Sequence, residues 1–368
     1  MASSAKSPIV RGRSDGTGPA VPNILVSLDK GVCGAAADWR LMCRTRGRSA
    51  QLEVYNRREI VVTPEAFHHT GEAIVTVPLG FRMAMPQNFC AIVHTPRRQL
   101  GRYRVVTGLI DSGYRGTVSA VLILSKENCR FAPGALQAHI SIHELSDSTP
   151  ALTEPRAPKT TAPTVANLNG RFALYTGAPD PIPGHPGVET EGEVFLPKRA
   201  EDAGTDIAVV MPVEIPPGDY ALIQPSYRSL LDDANAEAVY VLGRSSLNNR
   251  GLIVAPTRWL PGRACVLCIH NITDVTAFLG AGTKVAQVVN MRHPSLCGVP
   301  VENIDSGGVY AATPHQHPAR PSPTGTLPPR VKFTNTFDAD APGSARGLGG
   351  FGSTDALLAS MRVSGANV

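Results

Sequence analysis

Two stretches of this chain carry the same signals in the same order, and that repeat restricts the fold more than any single motif. In the first, Gly108-Leu-Ile is followed by an apolar run from Ser119 to Leu124, by Phe131-Ala-Pro-Gly134, and by an alternating segment from Gln137 to Ile142. In the second, Gly251-Leu-Ile is followed by Ala264 to Ile269, by Leu279-Gly-Ala-Gly282, and by Lys284 to Val289. Upstream, Val75-Thr-Val-Pro78 with Met85-Pro86 is matched by Val213-Glu-Ile-Pro216 with Gln224-Pro225. The segments are short and β-type, Pro, Gly and Asn punctuate them, and no useful helical periodicity separates them. An all-β protein built from one domain duplicated in tandem is expected. Matched by order and approximate spacing, the copies set Asp111 opposite Val254 and His139 opposite Gln287. The copies thus keep different polar residues, which implies one composite site between them rather than two equivalent ones.

The 368 residues suffice for two domains that each bury a core. Gly (35) and Pro (32) are abundant, as short strands joined by many turns require. A net charge of +5 suits an anionic ligand but is too weak and dispersed to argue for nucleic-acid binding. The seven cysteines show no regular spacing, the first 18 residues hold no apolar leader segment, and no apolar run approaches a membrane span. A reduced, soluble, intracellular protein without membrane attachment is expected. Residues 1–21 are expected to be disordered, 22–146 to form the first β domain, 147–170 a Pro/Thr/Ala-rich linker, 171–298 the second β domain, and 299–368 a flexible, coreless tail.

Four segments carry chemistry. Gly108 to Gly116 is a strand entering a tight turn that displays Asp111 and Tyr114. A turn aspartate commonly satisfies local N–H groups; held rigidly, it also accepts a proton from water. Glu201-Asp-Ala-Gly-Thr-Asp-Ile207 reads as a solvated acidic turn or as a holder of waters around Mg2+. Gly243-Arg-Ser-Ser-Leu-Asn-Asn-Arg-Gly251 offers guanidinium and hydroxyl groups to phosphate, or forms a capped helical turn. Arg346-Gly-Leu-Gly-Gly-Phe-Gly-Ser-Thr354 contains the string Gly-x-Gly-x-x-Gly, but no βαβ unit surrounds it, so it is not a dinucleotide fingerprint. Its Arg, glycine N–H groups and hydroxyls suit a triphosphate, and Phe351 suits stacking on a base. Cys265-x-x-Cys268 lies in an apolar strand without a second pair and reads as packing rather than as a zinc site. His139, His143, His315 and His317 have no accompanying ligand set.

Together these segments resemble the five motifs of the dUTPase family (dUTP diphosphatases). Asp202 to Ile207 resembles the first, Gly243 to Leu247 the second, Gly108 to Gly116 the third, Gly282-Thr-Lys-Val-Ala-Gln287 the fourth, and Arg346 to Thr354 the fifth. The third motif comes first here, in a chain about twice the usual length, which resembles the monomeric herpesvirus branch. Ser246 and Asp355 stand where the shorter enzymes have Gly. The resemblance implies two tandem dUTPase-like β-barrel (jelly-roll-like) domains plus the tail, acting as a monomer inside the host cell, in nucleus or cytoplasm. It implies hydrolysis of dUTP to dUMP and pyrophosphate, which keeps uracil out of DNA and supplies dUMP for thymidylate synthesis. Asp111 would be the general base. Leu109, Ile110, Ser112 and Gly113 would present backbone groups to uracil, and Tyr114 would lie against the deoxyribose and reject a 2′-hydroxyl. Arg244, Ser245, Ser246, Gln287, Arg346, Gly352 and Ser353 would hold the phosphates, with Phe351 over the base. Mg2+ on the phosphates would be met by Asp206 through water. The related dCTP deaminases need an acid at the base ring that no residue here supplies. A catalytically inactive, dUTPase-derived interaction protein is the competing class, and it predicts erosion of the third or fifth motif.

Overall fold

The computed structural model describes residues 23–28, 39–46, 49–57, 59–96, 103–145, 152–153, 164–168, 172–176, 201–209, 211–224, 228–229, 237–259, 266–292, 303–304, 310–311, 330–345 and 347. The first half contributes β1 (Asn23–Leu28), β2 (Trp39–Arg46), β3 (Ser49–Asn56), β4 (Glu72–Ala84), β5 (Phe89–His94), β6 (Arg104–Val105), β7 (Gly108–Ile110), β8 (Thr117–Ser125) and β9 (Gln137–Glu144). The second contributes β10 (Thr164–Leu168), β11 (Phe172–Thr176), β12 (Thr205–Ala208), β13 (Tyr220–Gln224), β14 (Glu237–Gly243), α1 (Ser245–Asn248), β15 (Leu252–Val254), β16 (Thr257–Trp259), β17 (Leu267–Asn271) and β18 (Lys284–Arg292). After it come β19 (Arg330–Phe333) and α2 (Phe337–Asp340).

The all-β expectation holds, and the repeat is visible in the pairing. The first half has sheets ordered β2-β3-β9-β5-β7 and β19-β1-β4-β8-β6; the second has β12-β18-β14-β16 and β10-β11-β13-β17-β15. The run β3-β9-β5-β7 thus recurs as β12-β18-β14-β16, and β4-β8-β6 recurs as β13-β17-β15. Each half is a pair of open sheets, and among the described residues neither closes into a barrel.

The pairing corrects the sequence alignment by one element. Gly108-Leu-Ile pairs with β5, whereas Leu252 to Val254 pairs with β17, the counterpart of β8. The counterpart of β7 is Thr257–Trp259, which pairs with β14 as β7 pairs with β5. Val254 therefore does not stand opposite Asp111. The two Gly-Leu-Ile triplets share a hydrophobic pattern that both a core-facing and an interface-facing strand satisfy, and sequence alone could not separate them. Gln287 and His139 remain matched: His139 pairs with Glu53 on β3 and His94 on β5, as Gln287 pairs with Asp206 and Leu242 on the counterparts β12 and β14.

Side-chain alternation explains why the strands read as continuous apolar runs. On β8, Val118, Ala120, Leu122 and Leu124 enter the core of the first half, while Val121 and Ile123 pack with Ile253 and Ile272 of the second. On β5, Ala91 and Val93 face the home core, while Cys90 and Ile92 meet Tyr240, Leu242, Val289 and Met291. Both faces of these strands are buried because the halves pack on each other. At the rim, Thr76 Oγ1 donates to Asn249 Oδ1 (2.8 Å), Thr70 Oγ1 donates to the Ile272 carbonyl (3.1 Å), and His68 Nδ1 lies 3.1 Å from Asp274 Oδ2.

Two expected boundaries change. β10 lies in the span read as linker and forms an antiparallel hairpin with β11. Residues 330–345, read as coreless, return to the first half. There β19 joins β1 in parallel, Val331 packs on the core, and Phe337 is 2% exposed beneath the Arg82 guanidinium, 4.6 Å from its ring centre. Arg82 also holds Asp338 (2.7 Å). β19 is hard to see in Pro-rich sequence because its partner β1 lies hundreds of residues upstream. Residues 1–21 and those after 347 lie outside the described residues.

Candidate active site

The turn after β7 is closed by the Tyr114 N–H on the Asp111 carbonyl (3.1 Å). Asp111 is 6% exposed, and the Ala203 N–H of the second half donates to its Oδ1 (2.8 Å). Beside it, the Ser112 hydroxyl donates to the Glu201 carbonyl (3.1 Å). The acidic stretch 201–203 is therefore no solvated turn; it reaches across and grips the Asp111 turn. Gly113 is required for space: a Cβ there would come 2.4 Å from Glu201 Cδ. Gly116 answers the same need, since a Cβ would lie 2.5 Å from the Tyr114 hydroxyl oxygen. That hydroxyl donates to the Thr117 carbonyl (2.9 Å), fixing the ring. The Cys90 thiol behind the turn is pushed up, first by burial and then by the negative charge of Asp111.

The same acidic stretch continues into the polar part of the second half. Gly204 leaves room for Gln287, whose Oε1 would lie 2.9 Å from a Cβ at that position. Asp206, on β12, stands opposite Gln287 on β18. Its Oδ1 meets Arg244 Nε (3.1 Å) and its Oδ2 meets Lys284 Nζ (3.1 Å). Arg244 lies between the end of β14 and α1, a four-residue turn in which Ser246 is buried and Ser245 half-exposed. Of the two hydroxyls expected to meet phosphate, Ser245 is the more accessible.

The structure thus brings Asp111, Ser112, Gly113 and Tyr114 to residues 201–203, and sets Asp206, Arg244 and Gln287 along the continuation of that segment. Leu109 packs with the cluster between the halves, and Ile110 is in the core of the first half. Gly347, the first glycine of the tail motif, bridges to Tyr114, and its carbonyl accepts the Arg115 N–H (2.8 Å). Arg346, Phe351, Gly352 and Ser353 lie outside the described residues. Sequence reasoning missed Arg115, Lys284 and Ser344, and it did not single out Glu201. Glu201 and Lys284 lie within or beside segments already picked out, so their proximity was a usable signal. Ser344, in a stretch read as tether, had none.

No group of three or more His, Cys, Asp or Glu side chains able to hold a metal occurs among the described residues. This donor set fits an ion carried by a ligand's phosphates through its own waters, met by one carboxylate, and not a protein cage.

The dUTPase family model matches residues 190–312, the half that carries Asp206, Arg244 and Gln287. The deoxyuridine 5'-triphosphate nucleotidohydrolase of human herpesvirus 1 is 40% identical over 90% of this chain and 97% of its own length. That of equine herpesvirus 4 is 35% identical over 73% of this chain and 74% of its own. Among solved structures, native EIAV dUTPase is 24% identical, covering 32% of this chain and 97% of that one, with a TM-score of 0.26. Identity carried along nearly the whole length of a herpesvirus relative makes this chain a member of the dUTPase family on its herpesvirus branch.

Proposed function

We propose that the chain hydrolyses dUTP to dUMP and pyrophosphate at a single site between its halves. The observation that carries this reading is Asp111: a buried carboxylate from one half, oriented by the Ala203 N–H of the other. Asp111 takes a proton from a water whose oxygen bonds to the α-phosphorus, and the bond from that phosphorus to the bridging oxygen breaks, releasing pyrophosphate. Arg244 and Gln287, with Ser245, Ser246, Arg346, Gly352 and Ser353, receive the phosphates and stabilise the charge that moves onto pyrophosphate. Backbone groups of Leu109, Ile110, Ser112 and Gly113 read the uracil edge. Tyr114, its ring already fixed through Thr117, packs on the deoxyribose, and Phe351 covers the base. Mg2+ on the phosphates, when bound, offsets their charge. Asp206 is the residue that would meet it through water, with Arg244 and Lys284 holding its carboxylate in place.

The Asp111 turn and residues 201–203 meet within one chain, which favours a monomer of 38.9 kDa. Its place is inside the host cell, where nucleotide pools are met, and neither nucleic acid nor membrane is a partner. Among the described residues no helix is long and apolar enough to cross a membrane. Pyrophosphate release from dUTP, dTTP, dCTP and UTP with Mg2+ tests the reaction. Turnover of dUTP alone, reduced about 10²–10⁴-fold in Asp111→Asn, is expected. An inert wild type would overturn the reading in favour of a binding module.

A further inference from the structure

Three residues without a task in this chemistry meet where the first half, the second half and the tail come together. The Ser344 hydroxyl lies within hydrogen-bonding reach of the Gly113 carbonyl and of Glu201 Oε1 (3.2 Å), and it accepts the Gly347 N–H (3.1 Å). Glu201 is 7% exposed and fills the space beside Gly113. The Arg115 guanidinium spans both sides of the junction. It donates to the carbonyls of Ser112 (2.6 Å) and Tyr114 (3.0 Å) on the turn, and to that of Pro342 (2.9 Å) on the tail.

We propose that Ser344, Glu201 and Arg115 form a latch that seats the root of the C-terminal segment on the Asp111 turn independently of substrate, with Ser344 as the positioning residue. The inference rests on the dUTPase reading of the site. A tail ordered by substrate alone would draw its ordering entropy from the binding energy. A latched root removes part of that cost, because Pro342, Ser344 and Gly347 are already held at the Asp111 turn before substrate arrives. Loss of the latch therefore weakens substrate binding and leaves the chemical step with Asp111.

The test is kcat and KM for dUTP with wild type, Ser344→Ala and Ser344→Thr, alongside hydrogen exchange of residues 340–347 in nucleotide-free protein. Ser344→Ala is expected to raise KM about five- to tenfold, with kcat within about twofold, as loss of roughly one hydrogen bond predicts. Exchange at Gly347 should quicken in the absence of nucleotide, and Ser344→Thr, which keeps the hydroxyl, should restore both readings. Unchanged KM and unchanged exchange in Ser344→Ala would overturn the latch, as would a fall in kcat at constant KM. A wild type inert towards dUTP would overturn the underlying reading instead, and the exchange measurement would still report on the latch.

Discussion

At the scale of single residues, the site depends on space as much as on charge. Asp111 and Tyr114 were legible because an acid and a ring beside glycines in a tight turn form a local pattern. Glu201 and Ser344 were not, because their contacts with the turn cross 89 and 231 positions of chain. Gly113, inside the Asp111 turn, also leaves room for the Glu201 side chain. Gly113→Ala would put a methyl group 2.4 Å from Glu201 Cδ, and with Glu201 buried the turn that carries Asp111 is expected to give way. A displacement of about 1 Å costs on the order of 100-fold in rate. Gly113→Ala should therefore lose about that factor in kcat/KM for dUTP while circular dichroism still reports a folded β protein. Retention of wild-type kcat/KM would show that Glu201 does not hold the turn.

At the scale of elements, most strands were legible and their partners were not. The apolar run from Ser119 to Leu124 is visible as a strand, but sequence does not say that alternate residues leave the home core for the other half. The same ambiguity misaligned the Gly-Leu-Ile triplets. β19 and α2 were hidden for another reason: Val331 and Phe337 are isolated apolar residues in polar sequence, and their value comes from the first half's core and Arg82. Ile272 is fully buried between the halves, so Ile272→Ala should cost about 2–5 kcal/mol, as a core truncation does. Urea unfolding would measure it. A loss below about 0.5 kcal/mol would mean that the halves do not depend on this contact, since that is the range of surface substitutions.

At the scale of the whole molecule, burial of histidines ties stability to pH. His94 is held at about 4, mainly by burial and further by His139, against an opposing bond with the Thr95 carbonyl. His143 is held at about 3, by burial and then by His94. The unfolded chain takes up these protons near pH 6.5 and the folded chain refuses them until far lower, so the unfolded state binds more protons between. Stability is thus fully present above about pH 6.5 and falls as pH drops towards 4 and 3, by about 1.4 kcal/mol per unit for each histidine. The urea midpoint should be lower at pH 5.5 than at 7.5, and His143→Asn should narrow the difference; equal midpoints in the wild type would contradict the burial argument. The central claim remains that one chain closes one site from both of its halves. Coexpression of Asp111→Asn with Arg244→Gln, each damaged in a different half, tests it most directly through dUTP turnover of the purified mixture beside wild type. The account predicts that the mixture is no more active than the variants apart. Recovery of about a quarter of wild-type turnover, the share a random pairing of two chains would rebuild, would show a site shared between chains and contradict it.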